Sequence, residues 1–235
     1  MICSSSFISR WCALGLAALV LQIPVTAVPV SAAEPEPVTV APAVMTSLSA
    51  AELDAFLARF AAMSGLSANF REEKQMALLV APLVNEGVIY FAPPGRLARH
   101  TRTPIRSSVI IDGARMTFGD AHGVEAIAFD QNPMLGLFVS SFVKIFAGDR
   151  DALAQMYSME LRGDPAALWT LQLRPRISPM DKVIEGIELQ GQGLVIRTMI
   201  VREAGGDLTT TTFTAVDTDR HFTDAELTSL FQIAP

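Results

Sequence analysis

Residues 134–146, MLGLFVSSFVKIF, form an almost unbroken apolar run in a chain otherwise written in short alternating segments. At 13 residues the run is well short of the roughly 18 to 20 that a helix needs to cross a bilayer. It is also too apolar for a surface helix. Each of its large side chains, from Met134 and Leu135 to Ile145 and Phe146, is stabilised by about 1.5 to 3 kcal/mol when it leaves water. The run must therefore lie against protein, as a permanent core plug, or against something the protein carries, as a lid. Gly136 and Ser140-Ser141 are places where such a helix can bend or shift.

Around this run the periodicity is that of a sheet. Before it, Ser49-Ala50-Ala51-Glu52 fits a capping box, and Leu53, Phe56, Leu57 and Phe60 follow at helical offsets. From Leu66 to Phe118 the pattern turns to strands. Val84, Glu86, Val88 and Tyr90 alternate with Asn85, Gly87, Ile89 and Phe91, and Pro93-Pro94-Gly95 turns the chain. Val109-Ile110-Ile111, Asp112-Gly113 and Met116-Thr117-Phe118 spell a hairpin. After the apolar run come Tyr157–Arg162, Trp169–Leu173, Val183–Leu189, Leu194–Val201 and Leu208–Val216, punctuated by glycine turns. Thr223-Asp224-Ala225-Glu226 offers a second capping box for a short last helix buried through Leu227, Leu230 and Phe231. About nine antiparallel strands without alternating long helices predict a mainly β chain with helices (α+β), a strongly curved sheet or incomplete barrel.

Residues 1–33 read as a secretory signal, with Arg10, an apolar stretch Trp11–Leu21 and a small-residue end Val30-Ser31-Ala32-Ala33. Cys12 stands at the start of the apolar stretch and not after it, which predicts a cleaved, unanchored product. Cys3 and Cys12 leave with the signal, so the exported domain relies on its core and not on disulfides. Residues 34–47, rich in Pro, Ala and Val, read as a flexible leader, and 48–235 as one domain, expected to be a monomer. A formal charge of −6 argues against nucleic acid as a partner.

No catalytic motif stands out. The chain has no nucleophile elbow, P-loop or dinucleotide fingerprint. His122-Gly123-Val124-Glu125 reads as a solvated turn, Glu72-Glu73 and Asp217 with Asp219 are neighbours that point apart along a strand, and His100 and His221 have no evident partners. No enzyme activity, cofactor or metal is expected.

Several pieces, in order, resemble the LolA-like carriers of outer-membrane lipoproteins: Leu66-Ser67-Ala68-Asn69-Phe70, Glu86-Gly87-Val88-Ile89-Tyr90-Phe91 with Pro93-Pro94, Ile111-Asp112-Gly113, Trp169-Thr170-Leu171-Gln172-Leu173-Arg174-Pro175, and Gly206-Asp207 before a Thr-rich strand ending at Phe213. The resemblance spans Leu48 to Phe231. It implies an unclosed barrel covered by helices, enclosing an apolar cavity for acyl chains, in a periplasmic carrier that takes a lipoprotein or lipid-linked product from an inner-membrane donor towards an outer-membrane acceptor. Enterobacterial members have an arginine before the proline that ends the second strand. Pro93 holds that position here and Arg96 lies three residues on, which is closer to a LolA-related branch associated with aryl-polyene or similar lipid-linked products.

On this resemblance the cavity is expected to be lined by Phe70, Leu83, Val88, Tyr90, Leu97, Ile110, Met116, Leu171, Leu173, Ile187 and Leu189 from the strands. Leu135, Phe138, Phe142 and Ile145 would come from the lid. Met76, Met116, Met134 and Met199 suit an adaptable lining or an ordinary core. Arg96, Arg99 and Arg102, with His100 and Arg106, form a basic cluster that either meets an acidic partner or lipid phosphate at the rim or is a solvated strand face. The alternatives to a carrier are a lipid-occupancy sensor regulating a membrane partner, and an acyl-chain hydrolase or transferase.

Overall fold

The computed structural model describes residues 45–233, so the expected signal and most of the expected leader fall outside the described residues. Eleven strands form one antiparallel sheet: β1 (Leu66–Gln75), β2 (Leu83–Ala92), β3 (Arg96–Thr103), β4 (Ser107–Asp112), β5 (Arg115–Asp120), β6 (Gly123–Ala128), β7 (Tyr157–Gly163), β8 (Leu168–Pro175), β9 (Ile184–Gln192), β10 (Val195–Glu203) and β11 (Leu208–Asp217). Their order is β6-β5-β4-β3-β2-β1-β11-β10-β9-β8-β7, so two meanders join where β1 pairs with β11. The sheet is not closed: β6 and β7 are its two edges.

Cross-strand register decides which residues face inward. Phe70 pairs with Phe213, Phe91 with Leu97 and Leu97 with Ile111. On the other wing Leu171 pairs with Leu189 and Leu189 with Met199, while Leu173 pairs with Ile187 and Ile187 with Val201. Apart from the partly buried Met199, these side chains are buried, and all join one apolar cluster that spans both wings.

Three helices complete that cluster. In α1 (Ala50–Ala61) the capping box is present: the Glu52 amide donates to the Ser49 hydroxyl and the Ser49 amide to the Glu52 carboxylate. Its Leu53, Phe56, Leu57 and Phe60 are buried, and the Phe56 ring meets Trp169 edge-on with centroids 4.7 Å apart. The apolar run forms α2 (Pro133–Phe146), started by Asn132, whose side chain accepts from the Leu135 amide. It is followed by α3 (Arg150–Met156), capped by Asp149. A fourth helix, α4 (Asp224–Leu230), carries the second capping box through Thr223 and Glu226 and lies on the other face of the sheet.

One strand and one helix are not expected from the sequence. His122-Gly123-Val124-Glu125 reads as a solvated turn, but Gly123–Ala128 is the edge strand β6. Its first four residues are exposed, so burial imposes no alternation and the period-2 signal never appears in the sequence. The short α3 has only Leu153 and Met156 buried, too few for a recognisable helical stripe. The end of the expected leader is also tied down: Thr46 and Ser47 lie along the outer edge of β7, and the Leu48 amide donates to the Leu161 carbonyl at 2.8 Å.

Removing a packed ring from α1 leaves a cavity that the rigid sheet cannot fill. Phe56→Ala is expected to lower unfolding stability by about 3 to 5 kcal/mol, read from the urea midpoint, whereas Leu78→Ala on an exposed loop leaves it within about 0.5 kcal/mol.

Candidate functional site

The inner face and α2 make the candidate site. Along α2, Val139, Val143, Ile145 and Phe146 are buried, and Phe146 lies 6.1 Å from the Phe91 ring. Leu135, Leu137, Phe138 and Phe142 pack against the same cluster yet remain partly exposed, with Phe138 and Phe142 edge-to-face at 5.1 Å. The helix thus covers the inner face but is not sealed into it along its length.

Its anchors are specific. A Cβ at Gly136 would come within 2.6 Å of the Phe129 Cβ, so this glycine lets α2 press against the segment after β6 and does not serve chiefly as a bend. Ser141 is fully buried; its hydroxyl donates to the Leu137 carbonyl at 2.9 Å, and Met180, in a short 3-10 turn (Met180–Lys182), sits beside it. The Tyr157 hydroxyl, on the first residue of β7, points at the Met180 sulfur at 3.4 Å. Burial pushes the Tyr157 phenol above its ordinary value, and its contact with Ser141 offsets part of that rise.

The expected lining residues divide between the two faces. Phe70, Leu97, Met116, Leu171, Leu173, Ile187, Leu189 and Ile145 are buried in the inner cluster, and Leu135, Phe138 and Phe142 pack onto it. Leu83, the first residue of β2, shares the inner parity and lies opposite Lys74. Val88, Tyr90 and Ile110 do not belong there. Tyr90 and Ile110 pack on the outer face with Ala92, Ala98 and Phe231, and Val88, two residues before Tyr90, shares its parity. The physical cause is α4: by covering the outer face it buries both sides of β2–β4, so apolar residues occur at both parities and the choice of face cannot be read from alternation.

The basic cluster divides as well. Arg96 lies on the outer face, paired with Asp112 at 2.9 Å and placed over the Phe231 ring. Arg102 is exposed near the end of β3. His100, also on the outer face, is held between the Ser108 hydroxyl and the Leu230 carbonyl at 2.8 Å each, where it fastens α4 to β3. Only Arg99 points inward: its guanidinium lies 4.3 Å from the Phe70 ring centroid and pairs with Glu72 at 2.8 Å.

An exposed apolar edge was not signalled by the periodicity. Leu78 and Val80 are almost wholly exposed, at 92% and 109% of reference, with Leu79 beside them in the loop between β1 and β2. Ile105, Val124 and Val183 are exposed at the same end of the sheet, in or beside the turns before β4, β6 and β9; Leu168 is exposed at the other end. The sequence MALLVAP held the signal as an apolar loop without strand alternation.

Two hollows bordered by described residues lie away from α2. One of about 310 Å³ is on the outer face between Arg96, Ile110, Asp112 and Phe231, and one of about 380 Å³ lies beyond the end of α1 by Met63, Ser64, Leu194 and Asp219. Among the described residues no group of three or more His, Cys, Asp or Glu side chains is arranged to hold a metal, and no helix is long and apolar enough to cross a membrane.

A model of the LolA-like outer membrane lipoprotein carrier proteins matches residues 45–231. The chain belongs to the LolA-like family. Among solved structures, the LolA-like chain is similar to the LolA superfamily protein NE2245 from Nitrosomonas europaea, at 8% identity and a TM-score of 0.44, covering 76% of this chain and 96% of that one. A DUF1329 family protein from Desulfovibrio piger gives 11% and 0.45 over 76% and 96%. MucB gives 17% and 0.46 over 76% of this chain and 63% of MucB. No curated protein matches the sequence significantly.

The anchoring of α2 predicts a delayed titration. Because the folded phenol of Tyr157 lies above its unfolded value of 10.0, the stability it contributes is complete below that pH and is lost as pH rises through the folded value. Absorbance titration of the chain's two tyrosines is expected to show one late component that Tyr157→Phe removes; early ionisation of Tyr157 would contradict a sealed anchor.

Proposed function

We propose that this protein is a carrier that shelters an acyl chain between α2 and the inner face of the sheet and releases it at a membrane. The observation that carries the reading is α2 itself, an apolar helix laid across an unclosed sheet with Leu135, Phe138 and Phe142 still partly open to solvent. Family membership supports it. Sequestration needs no bond to be made or broken, so no enzyme activity is assigned.

The energetics require such a device. A chain of about 16 carbons gains roughly 12 kcal/mol on leaving water, so it crosses an aqueous compartment only under apolar cover. The same gain would trap it in a perfect pocket. If the cargo space is occupied by α2 when empty, binding competes with self-burial of the helix and release is assisted by its return. The packed inner face is then the empty, closed form.

In this reading Phe70, Leu83, Leu97, Met116, Leu171, Leu173, Ile187 and Leu189 line the space, with Leu135, Phe138, Phe142 and Ile145 facing the chain from above. The compartment is the periplasm, and the cargo is the acylated part of a lipoprotein or a lipid-linked product passing between an inner-membrane donor and an outer-membrane acceptor. The exposed edge at Leu78, Leu79 and Val80 supports contact with lipid at the moment of transfer.

Protein purified without detergent is expected to carry a fatty ligand in native mass spectrometry and to pass a fluorescent acyl chain to phospholipid vesicles. Leu78→Asp with Val80→Asp should leave binding intact and slow transfer at least about tenfold, since charged tips no longer enter the interface. Failure to bind any acylated peptide or lipid over a range of chain lengths overturns the reading. Binding without hand-off to vesicles would favour the sensor.

A further inference from the structure

On the inner face of β1–β3 and β11 a polar group stands next to the apolar cluster, close to the Lys74–Glu203 pair. There Glu72 accepts from Arg99 Nη2 at 2.8 Å and from Asn85 Nδ2 at 3.2 Å, and the Arg99 guanidinium carbon lies over the Phe70 ring, 4.3 Å from its centroid. Gly87 makes this possible: a Cβ there would stand 2.8 Å from the Phe70 ring and 2.0 Å from the His100 carbonyl oxygen. Directly opposite Glu72 on β11 is Thr211, only 4% exposed, whose hydroxyl has no hydrogen-bond partner.

Stability does not account for this group. An ion pair withdrawn from water recovers little more than its desolvation cost, and an apolar replacement of similar size is often neutral or stabilising. An orphaned buried hydroxyl is a further cost. The arrangement also holds capacity in reserve. Both bonds to Glu72 end on Oε1, leaving Oε2 as an acceptor, and among the described residues Arg99 uses only Nη2 of its donors. The pair keeps access, with 22% of each side chain exposed.

Resting on the acyl-carrier reading, we infer that Arg99, Glu72 and Thr211 form a polar seat for the neutral head of the cargo, a group that both accepts and donates hydrogen bonds. An amide joined to the acyl chain has that chemistry. Its carbonyl accepts from the spare Arg99 donors and its N–H donates to Glu72 Oε2, while Thr211 gains the partner it lacks. A carboxylate or phosphate head meets the Glu72 charge, and an ester has nothing to donate. The neighbouring apolar surface takes the chain, and the seat fixes which end of the molecule stops on β1–β3.

The test compares heads on one chain length. The intact protein, loaded with a fluorescent fatty probe, is titrated with N-methyldodecanamide, methyl dodecanoate and dodecanoate. The amide is expected to displace the probe about tenfold more tightly than either of the others. Glu72→Gln puts a donor where the amide N–H needs an acceptor, and should bring the amide to within about twofold of the ester. Thr211→Val should weaken the amide and raise the melting temperature, since it removes the orphaned hydroxyl. Equal affinity for all three heads, a preference for the carboxylate, or indifference to Glu72→Gln overturns the seat while chain binding stands. Displacement by none of them removes the carrier reading beneath it.

Discussion

An antiparallel sheet that stops short of closure exposes an apolar inner face, and covering that face is the constraint on which the rest of this structure depends. The chain meets it with helices. The rings of α1 lock onto Trp169 on one wing, and α2 lies across the middle with Phe146 against Phe91. The two covers differ in kind. The four apolar side chains of the α1 stripe are all buried, whereas α2 leaves Leu135, Leu137, Phe138 and Phe142 partly open. A helix so apolar is stabilised by any apolar surface that takes it out of water.

The outer face imposes a different requirement. Beneath α4 the strands β2–β4 are buried on both sides, with His100 linking β3 to the Leu230 carbonyl and Tyr90, Phe222 and Phe231 stacked edge-to-face around it. This second core backs β3, so its inner-face residues Leu97 and Arg99 stand on a strand packed on both sides. Along α2, by contrast, Leu135, Leu137, Phe138 and Phe142 are only partly covered.

What could be read from the residues follows the same physics. The capping boxes at Ser49 and Thr223, the extent of α2 to within a residue, and most strands were legible because each is encoded by neighbours in sequence. The inward residues of β8 and β9 were also legible, since one polar parity marks the outside. Val88, Tyr90 and Ile110 were not, because their assignment depends on α4, more than a hundred residues away. Gly123–Ala128 failed for the opposite reason, being an edge strand that buries almost nothing. Arg99 stood in a basic cluster, yet only the register reveals that it alone of Arg96, Arg99 and Arg102 turns inward to Glu72 and Phe70. The exposed Leu78-Leu79-Val80 tip asks for the three-dimensional fact that none of the described residues folds over it.

If α2 leaves the inner face for cargo to enter, a covalent latch across it blocks uptake. A Cβ at Gly95, in the turn between β2 and β3, lies 3.6 Å from the Val143 Cγ1 of α2, close enough for Gly95→Cys with Val143→Cys to form a disulfide. The described residues contain no other cysteine. With the bridge formed, uptake of a fluorescent acyl chain should be abolished, and reduction should restore it. Equal uptake by the oxidised and reduced forms would contradict the account, because the chain would then be entering with the helix still in place.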